Sequence, residues 1–234
     1  MTFFITGIGS GIGEATCLHA LSKNHDVIGL VRNPQKAANV LEEAKNYPGK
    51  LSLIFTDLAD ENLSQVVKFE LDNLKISKID ALINVAGVLN PMTVSEFEIS
   101  SIEKVMRVNF TAPAILIRLL VPFLQKSEFA NVVNITSMSG FQGSVRFPGL
   151  AIYGASKAAL SSLSESLSVE LADVNIRINA LAIGAVSTDM LQQAFPDFKA
   201  PITPSQMAEY IFSFATHGYQ FYNGKTLSVA VTNP

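Results

Sequence analysis

The chain has a single cysteine, Cys17, no tryptophan, and only 3 histidines among 234 residues. A lone cysteine has no partner within the chain for a disulfide, which is the expectation for a reducing compartment. His19, His25 and His217 lack the close spacing a metal centre needs, so each is expected to be a packing or surface residue. Nowhere do apolar residues run unbroken for the ~18 positions that mark a membrane span, and no spanning helix is expected. Charged residues are 16% of the chain, the formal net charge is -3, and lysines and arginines do not cluster, which argues against a nucleic-acid footprint. A Gly-x-Ser-x-Gly nucleophile elbow is missing too, so a serine hydrolase is not expected. Gly224-Lys225-Thr226 resembles the end of a phosphate-binding loop. The glycine required earlier in that motif is Tyr219, however, and the segment precedes a strand instead of following one. Strand-like Phe3-Phe4-Ile5 begins almost at once, leaving no room for a signal peptide, and a cytoplasmic protein is the expectation.

What is present is apolar sequence in short, alternating units. Hydrophobic residues make up 48% of the chain, enough for a large core. Apolar, β-branched and aromatic runs at 1–5, 27–31, 51–55, 79–83, 131–135, 176–182 and 226–231 predict strands. Helical periodicity predicts helices at about 35–46, 60–74, 95–124, 153–172 and 205–214, and one through Ala15, Leu18 and Leu21. Strand and helix alternating in this way predict an α/β fold: a Rossmann-type, doubly wound, mostly parallel seven-stranded sheet with helices on both faces. No linker, repeat or low-complexity stretch interrupts residues 1–234, and one domain is expected.

The chemistry concentrates at the ends of the expected strands. After the first comes Thr6-Gly7-Ile8-Gly9-Ser10-Gly11-Ile12-Gly13, leading into a helix. Such a turn lets backbone approach a pyrophosphate, while the helix N-terminus offers unpaired N–H groups and a positive dipole end. The second strand closes with Val31 and Arg32 and has no carboxylate there. An acidic residue at this point accepts the ribose hydroxyls of NAD, whereas arginine accommodates the 2′-phosphate of NADP. NADP(H) is therefore favoured, with NAD(H) still possible. Asp57 and Leu58 follow the third strand, where Asp57 either receives an adenine amino group or caps the next helix. Asn84, Ala86 and Gly87 follow the fourth, the two small residues keeping a cofactor face clear.

Asn109 lies in an apolar helical stretch, where a buried amide must find partners, and Pro113 makes an irregular turn plausible there. Ser137 ends the fifth strand, in position to polarise a carbonyl. Tyr153 and Lys157 are four residues apart and share a helical face. A phenol ionises near pH ~10 in water, and an adjacent ammonium lowers that value, so the pair is suited to acid–base work on a carbonyl or alcohol. Gly184, Val186 and Thr188 follow the sixth strand. Residues 189–204, with Met190, Leu191, Phe195 and three prolines in or just after the stretch, read as a flap or a packed surface loop.

Together these residues resemble the short-chain dehydrogenase/reductase family, and the resemblance spans nearly the whole chain. The family's Thr-Gly-x-x-x-Gly-x-Gly turn matches Thr6, Gly7, Gly11 and Gly13, and its Asn-x-Ala-Gly matches Asn84, Ala86 and Gly87. The four catalytic positions match Asn109, Ser137, Tyr153 and Lys157, in that order. The resemblance implies that Tyr153 exchanges a proton with the substrate oxygen during hydride transfer with a nicotinamide. Lys157 would lower the tyrosine pKa and hold ribose hydroxyls, Ser137 would bind the substrate oxygen, and Asn109 would support a proton relay. Gly7, Gly9, Ser10, Gly11, Ile12, Arg32, Asp57, Leu58, Asn84, Ala86, Gly87, Gly184, Val186 and Thr188 would contact the cofactor. Ile183 replaces a proline common in relatives, Ser10 replaces a basic residue common in NADP-preferring members, and the 137–153 stretch is about three residues longer than usual. The expected substrate is a small carbonyl or alcohol, hydrophobic if Met92, Phe141, Phe147, Met190, Leu191 and Phe195 line its pocket. A homodimer or homotetramer is implied. The rival reading is a dinucleotide-binding regulatory protein of the same fold without turnover.

Overall fold

A parallel strand buried on both faces carries apolar side chains at nearly every position instead of alternating. The computed structural model, which describes residues 1–231, shows this at the centre of its sheet. β1 (Thr2–Thr6), β4 (Ala81–Asn84) and β5 (Asn131–Ser137) are buried over almost their whole length. Around them lie β2 (Asp26–Val31), β3 (Leu51–Phe55), β6 (Arg177–Ile183) and β7 (Thr226–Val229). All seven pair in parallel, in the order β3-β2-β1-β4-β5-β6-β7. Ile5 sits opposite Gly29 on one side and Ile83 on the other, which fixes the register where the order reverses. Above that reversal, at the carboxyl ends of β1 and β4, a crevice opens, the place where such sheets bind ligands.

The two faces are covered by different helices. Phe3, Ile5 and Ile83 point to one side, where α1 (Gly11–Ser22), α2 (Pro34–Ala44) and α8 (Pro204–His217) pack through residues such as Leu21, Val40 and Ile211. Phe4 and Leu82 point to the other, against α3 (Leu63–Asn73) and α5 (Ala112–Leu124), with the flank of α6 (Ala151–Glu170) completing that layer. Burying a Phe or Leu side chain contributes about 1.5–3 kcal/mol each, so this two-sided core is what holds the strand ends, and the site on them, in place.

Four expectations are corrected. The stretch 95–124 is not one regular helix: α4 (Ile99–Met106) passes through a five-residue π turn, Arg107–Thr111, before α5. Pro113 lacks the N–H that an α-helix would direct at the Asn109 carbonyl, and the wider turn, in which the Ala112 N–H bonds the Arg107 carbonyl, absorbs the defect. Second, the continuous helix Ile99–Leu124, 26 residues, is long and apolar enough by length and composition to cross a membrane, a candidate that the absence of an unbroken apolar run passes over. Here Leu116, Ile117, Leu120 and Leu124 are packed against the sheet. Third, α3 starts at Leu63 instead of near 60, because Asp57 and Asp60 fold the preceding residues into turns by accepting from the Ala59 and Asn62 N–H groups. Fourth, α8 runs on to His217 instead of ending near 214, while the histidines are packing or surface residues as expected. His19 and His25 flank Phe212 of α8 at 4.9 and 5.5 Å between ring centres, and His217 shares a hydrogen bond with Thr216.

Candidate active site

The glycine-rich turn is built by close approach. Gly7 has φ +76°, and a Cβ there would lie 2.9 Å from the Ala86 Cα, so the turn after β1 lies directly against the loop after β4. α1 then begins after Ser10, whose extended backbone leaves its side chain uninvolved in capping. The first N–H groups of α1 therefore have no side-chain acceptor, the condition under which a helix N-terminus takes an anion. From this turn a cleft of about 610 Å³ runs over the sheet's carboxyl edge. Gly7, Gly9, Ser10, Gly11, Ile12, Arg32, Asp57, Leu58, Ala86, Gly87, Tyr153, Lys157 and Thr188 all line it. Those residues come from six separate strand ends or helices, and the fold brings them together as the sequence suggests.

At one end stand the reactive side chains. Ser137 closes β5 and accepts the Ser139 N–H at 3.1 Å, which starts the short turn Met138–Gly140. That turn rests on the first residues of α6. A Cβ on Gly154 would come 2.6 Å from the Ser139 carbonyl oxygen, so only glycine allows Ser137 and Tyr153 to be neighbours. Burial pushes the Tyr153 phenol above its ordinary value, opposed by a hydrogen bond with Ser137. Lys157 is 3% exposed, donates to the Ile135 carbonyl at 2.9 Å and stands 5.9 Å from the Tyr153 ring centre. Burial pushes its ammonium down to about 8. The expected lowering of the tyrosine by the lysine is thus not what this arrangement delivers. Burial sets the direction, with the Ser137 hydrogen bond opposing it, and a phenol held up in this way stays protonated at neutral pH, as a proton donor must.

Asn109 sits behind this wall in the π turn, fully buried. Its amide accepts the Val88 N–H at 2.8 Å and donates to the Val88 carbonyl at 2.9 Å and the Ser156 hydroxyl at 3.0 Å. Ser156 in turn donates to the Tyr153 carbonyl at 2.7 Å. The amide therefore ties the loop carrying Gly87 to the helix carrying Tyr153 and Lys157.

The opposite end of the cleft is charged. Arg32 Nη1 lies 3.1 Å from Asp57 Oδ2, and the other Asp57 oxygen accepts the Ala59 N–H at 2.9 Å. Burial raises the Asp57 pKa, but the Ala59 N–H and then Arg32 outweigh it and hold the carboxylate below its usual range. Asp57 therefore makes the local turn and pairs with Arg32 at once.

Three residues expected at the cofactor lie elsewhere. Asn84 is buried and donates to Asn134 at 2.8 Å, Gly184 donates its N–H to Val229 at 2.9 Å, and Val186 is 4% exposed and bridges Ile202. Each supports the wall instead of forming it. Lys36, Thr136, Ser187 and Asp189 reach the cleft without having been singled out, and Ile183 and Met190, which were, reach it as well. For Lys36 the signal was present, since the residue falls in the first turn of the helix after β2 and so faces the same strand ends. Residues 189–194 form the short helix α7, with Thr188 accepting the Leu191 N–H. Phe147 and Phe195 contact each other edge to face at 5.5 Å, so those two pack loops together.

A glycine-rich turn, a serine, and a tyrosine–lysine pair at one cleft invite comparison with known proteins. The family model for short chain dehydrogenase matches residues 1–199. The chain belongs to the short-chain dehydrogenase family. This dehydrogenase is 28% identical over 238 residues to a 3-oxoacyl-(acyl-carrier-protein) reductase of Thermotoga maritima, covering 96% of this chain and 94% of that protein. It is 29% identical over 196 residues to a 3beta-hydroxysteroid dehydrogenase of Mediterraneibacter gnavus, covering 83% and 69%. A solved structure, 4-hydroxyisoleucine dehydrogenase complexed with NADH, superposes with TM-score 0.85 at 27% identity, over 98% of this chain and 96% of that one. The short-chain dehydrogenases are oxidoreductases that bind a nicotinamide dinucleotide, and this chain carries their fold from end to end of its seven-stranded sheet.

Proposed function

We propose that this short-chain dehydrogenase interconverts a carbonyl and an alcohol, with Tyr153 as general acid/base and a nicotinamide dinucleotide, NADP(H) by preference, as redox partner. The observation that carries this reading is the cluster of Ser137, Tyr153 and Lys157 at one end of a cleft whose other end holds Arg32. The uncapped N-terminus of α1 and the close-packed glycine turn fit a pyrophosphate between the two. When bound, the cofactor supplies hydride chemistry, and the protein supplies placement and proton transfer. Tyr153 donates its phenolic proton to the carbonyl oxygen during reduction and recovers it from an alcohol in the reverse direction. Ser137 donates a hydrogen bond to the same oxygen, favouring the charge that develops there. Lys157, held by the Ile135 carbonyl, keeps a positive charge beneath the site and is placed to hold ribose hydroxyls. Asn109 positions Tyr153 through Ser156.

The raised phenol is protonated at neutral pH, the form that donates to a carbonyl oxygen. Met190, and the apolar Val88 and Ile183, suit a hydrophobic substrate. The purified protein is tested by adding NADPH or NADH with a panel of ketones and aldehydes and following nicotinamide oxidation. Reduction of hydrophobic carbonyls with NADPH, and a switch towards NADH in Arg32→Asp, is the expected result. Failure to bind either dinucleotide in calorimetry would overturn it and favour a non-catalytic role.

A further inference from the structure

Ser137 is held by a single turn of chain. Met138–Gly140 is a 3₁₀ turn, closed where the Phe141 N–H donates to the Met138 carbonyl at 3.1 Å and tied to Ser137 by the Ser139 N–H. A helix this short is not stable by its own bonds, so its surroundings must fix it. On the inner side α6 does so: a Cβ on Gly140 would lie 2.6 Å from the Ala158 nitrogen. On the exposed side stands Arg146. Its Nη1 donates to the Ser139 carbonyl, and its Nη2 donates to the Phe141 carbonyl at 2.9 Å. A guanidinium is a rigid, planar fork, so two bonds from it set the spacing of the two carbonyls as well as holding them. Among the described residues no ion pair engages Arg146, so the fork is not divided between these carbonyls and a carboxylate. The segment that carries it is fastened in turn. Phe147 packs edge to face on Phe195 at 5.5 Å, and the Gly149 carbonyl accepts the Met92 N–H at 2.9 Å. Arg146 thus reaches back over the Ser137 turn from a segment anchored both to the 189–204 stretch and to the loop after β4. Because the side chain is exposed, its bonds contribute little to overall stability. What they fix is the place of Ser137 beside Tyr153.

We infer that Arg146 is a positioning residue: it clamps the turn after Ser137 so that the serine hydroxyl stays within reach of the oxygen on which Tyr153 acts. This rests on the catalytic reading of Ser137 above. Arg146 and the carbonyls it holds are not among the groups lining the dinucleotide cleft, so its effect falls on turnover and leaves cofactor binding alone.

The test compares wild type with Arg146→Met, Arg146→Lys, Ser137→Ala and the double variant Ser137→Ala/Arg146→Met. Each is measured by steady-state reduction of a carbonyl substrate, calorimetry with NADPH and NADH, urea unfolding, and amide hydrogen exchange over residues 137–141. Arg146→Met should lower kcat by about tenfold, inside the ~10²-fold that a misplacement of about 1 Å can cost. Dinucleotide affinity and the unfolding midpoint should stay near wild type, while the Ser139 and Phe141 amides exchange faster. Arg146→Lys keeps a donor but not the fork, and should recover part of the loss. In the Ser137→Ala background Arg146→Met should cost nothing further, because the group it positions is gone. A kcat for Arg146→Met within about twofold of wild type would overturn the inference. So would the same loss persisting in the Ser137→Ala background, or dinucleotide affinity and unfolding midpoint falling together with kcat. If wild type binds a dinucleotide and turns over no carbonyl, the catalytic reading of Ser137 has failed, and the inference falls with it.

Discussion

Asn109→Ala removes the amide that joins the loop at Gly87–Val88 to the catalytic helix. The amide is fully buried and satisfies both the Val88 N–H and the Val88 carbonyl, at 2.8 and 2.9 Å. Alanine leaves both half-buried groups without that partner, and each orphaned group costs up to about 1–3 kcal/mol. Ser156 is not orphaned, because its hydroxyl still donates to the Tyr153 carbonyl. Two such groups would cost about 2–6 kcal/mol if fully buried; with Val88 half-buried the expected destabilisation lies at the lower end, about 2–3 kcal/mol, still a large share of the 5–15 kcal/mol typical of a folded protein. In urea, with a slope of about 3 kcal/mol per molar, the unfolding midpoint should fall by roughly 1 M. The exposed Asn39→Ala, on α2, should stay within about 0.5 kcal/mol of wild type. An Asn109→Ala midpoint as close to wild type as the Asn39 control would refute the claim that this amide is a structural tie.

Other outcomes follow from the same contacts. Gly154→Ala should cut turnover sharply while cofactor affinity changes little, since its Cβ would meet the Ser139 carbonyl oxygen at 2.6 Å and push the Ser137 turn away from Tyr153; steady-state kinetics beside calorimetry would show it. Cys17 is fully buried, and burial followed by the nearby Glu14 pushes its thiol up to about 12, so a thiol reagent should label it only after unfolding. His19 and His25 are held below their ordinary 6.5, His19 by burial and then Lys23, His25 by burial and then the N-terminal ammonium. The unfolded chain thus takes up protons first as pH falls through 6.5, and stability should decline there. A His19→Gln/His25→Gln variant should show a flatter denaturation midpoint against pH below that value.

The sheet was legible because strands buried on both faces leave apolar runs, as at Phe3–Ile5 and Ala81–Ile83, and because each run ends in polar or glycine-rich sequence. The catalytic end was legible for a similar reason: Ser137, Tyr153 and Lys157 are placed by a strand end and by helical spacing. What escaped was tertiary. The sharing of Arg32 with Asp57 joins residues from two strand ends, and no local pattern announces it. Asn84 could be read both as an amide stabilising the sheet and as a cofactor contact, and its bond to Asn134 is of the first kind. The tyrosine–lysine spacing suggests a lowered phenol, whereas burial, a property of the whole fold, decides its direction. Lys36 was legible from its place in the first turn of the helix after β2, but its packing beside the glycine turn is tertiary.

The central claim is that Tyr153 moves the proton in a carbonyl–alcohol interconversion. Its most direct test is Tyr153→Phe, which keeps the ring and its packing and removes only the hydroxyl. Turnover of a reduced substrate should fall by about a hundredfold or more, the contribution of a positioned general acid, while dinucleotide affinity stays near wild type. Turnover surviving the substitution within a few-fold, with binding intact, would contradict the account.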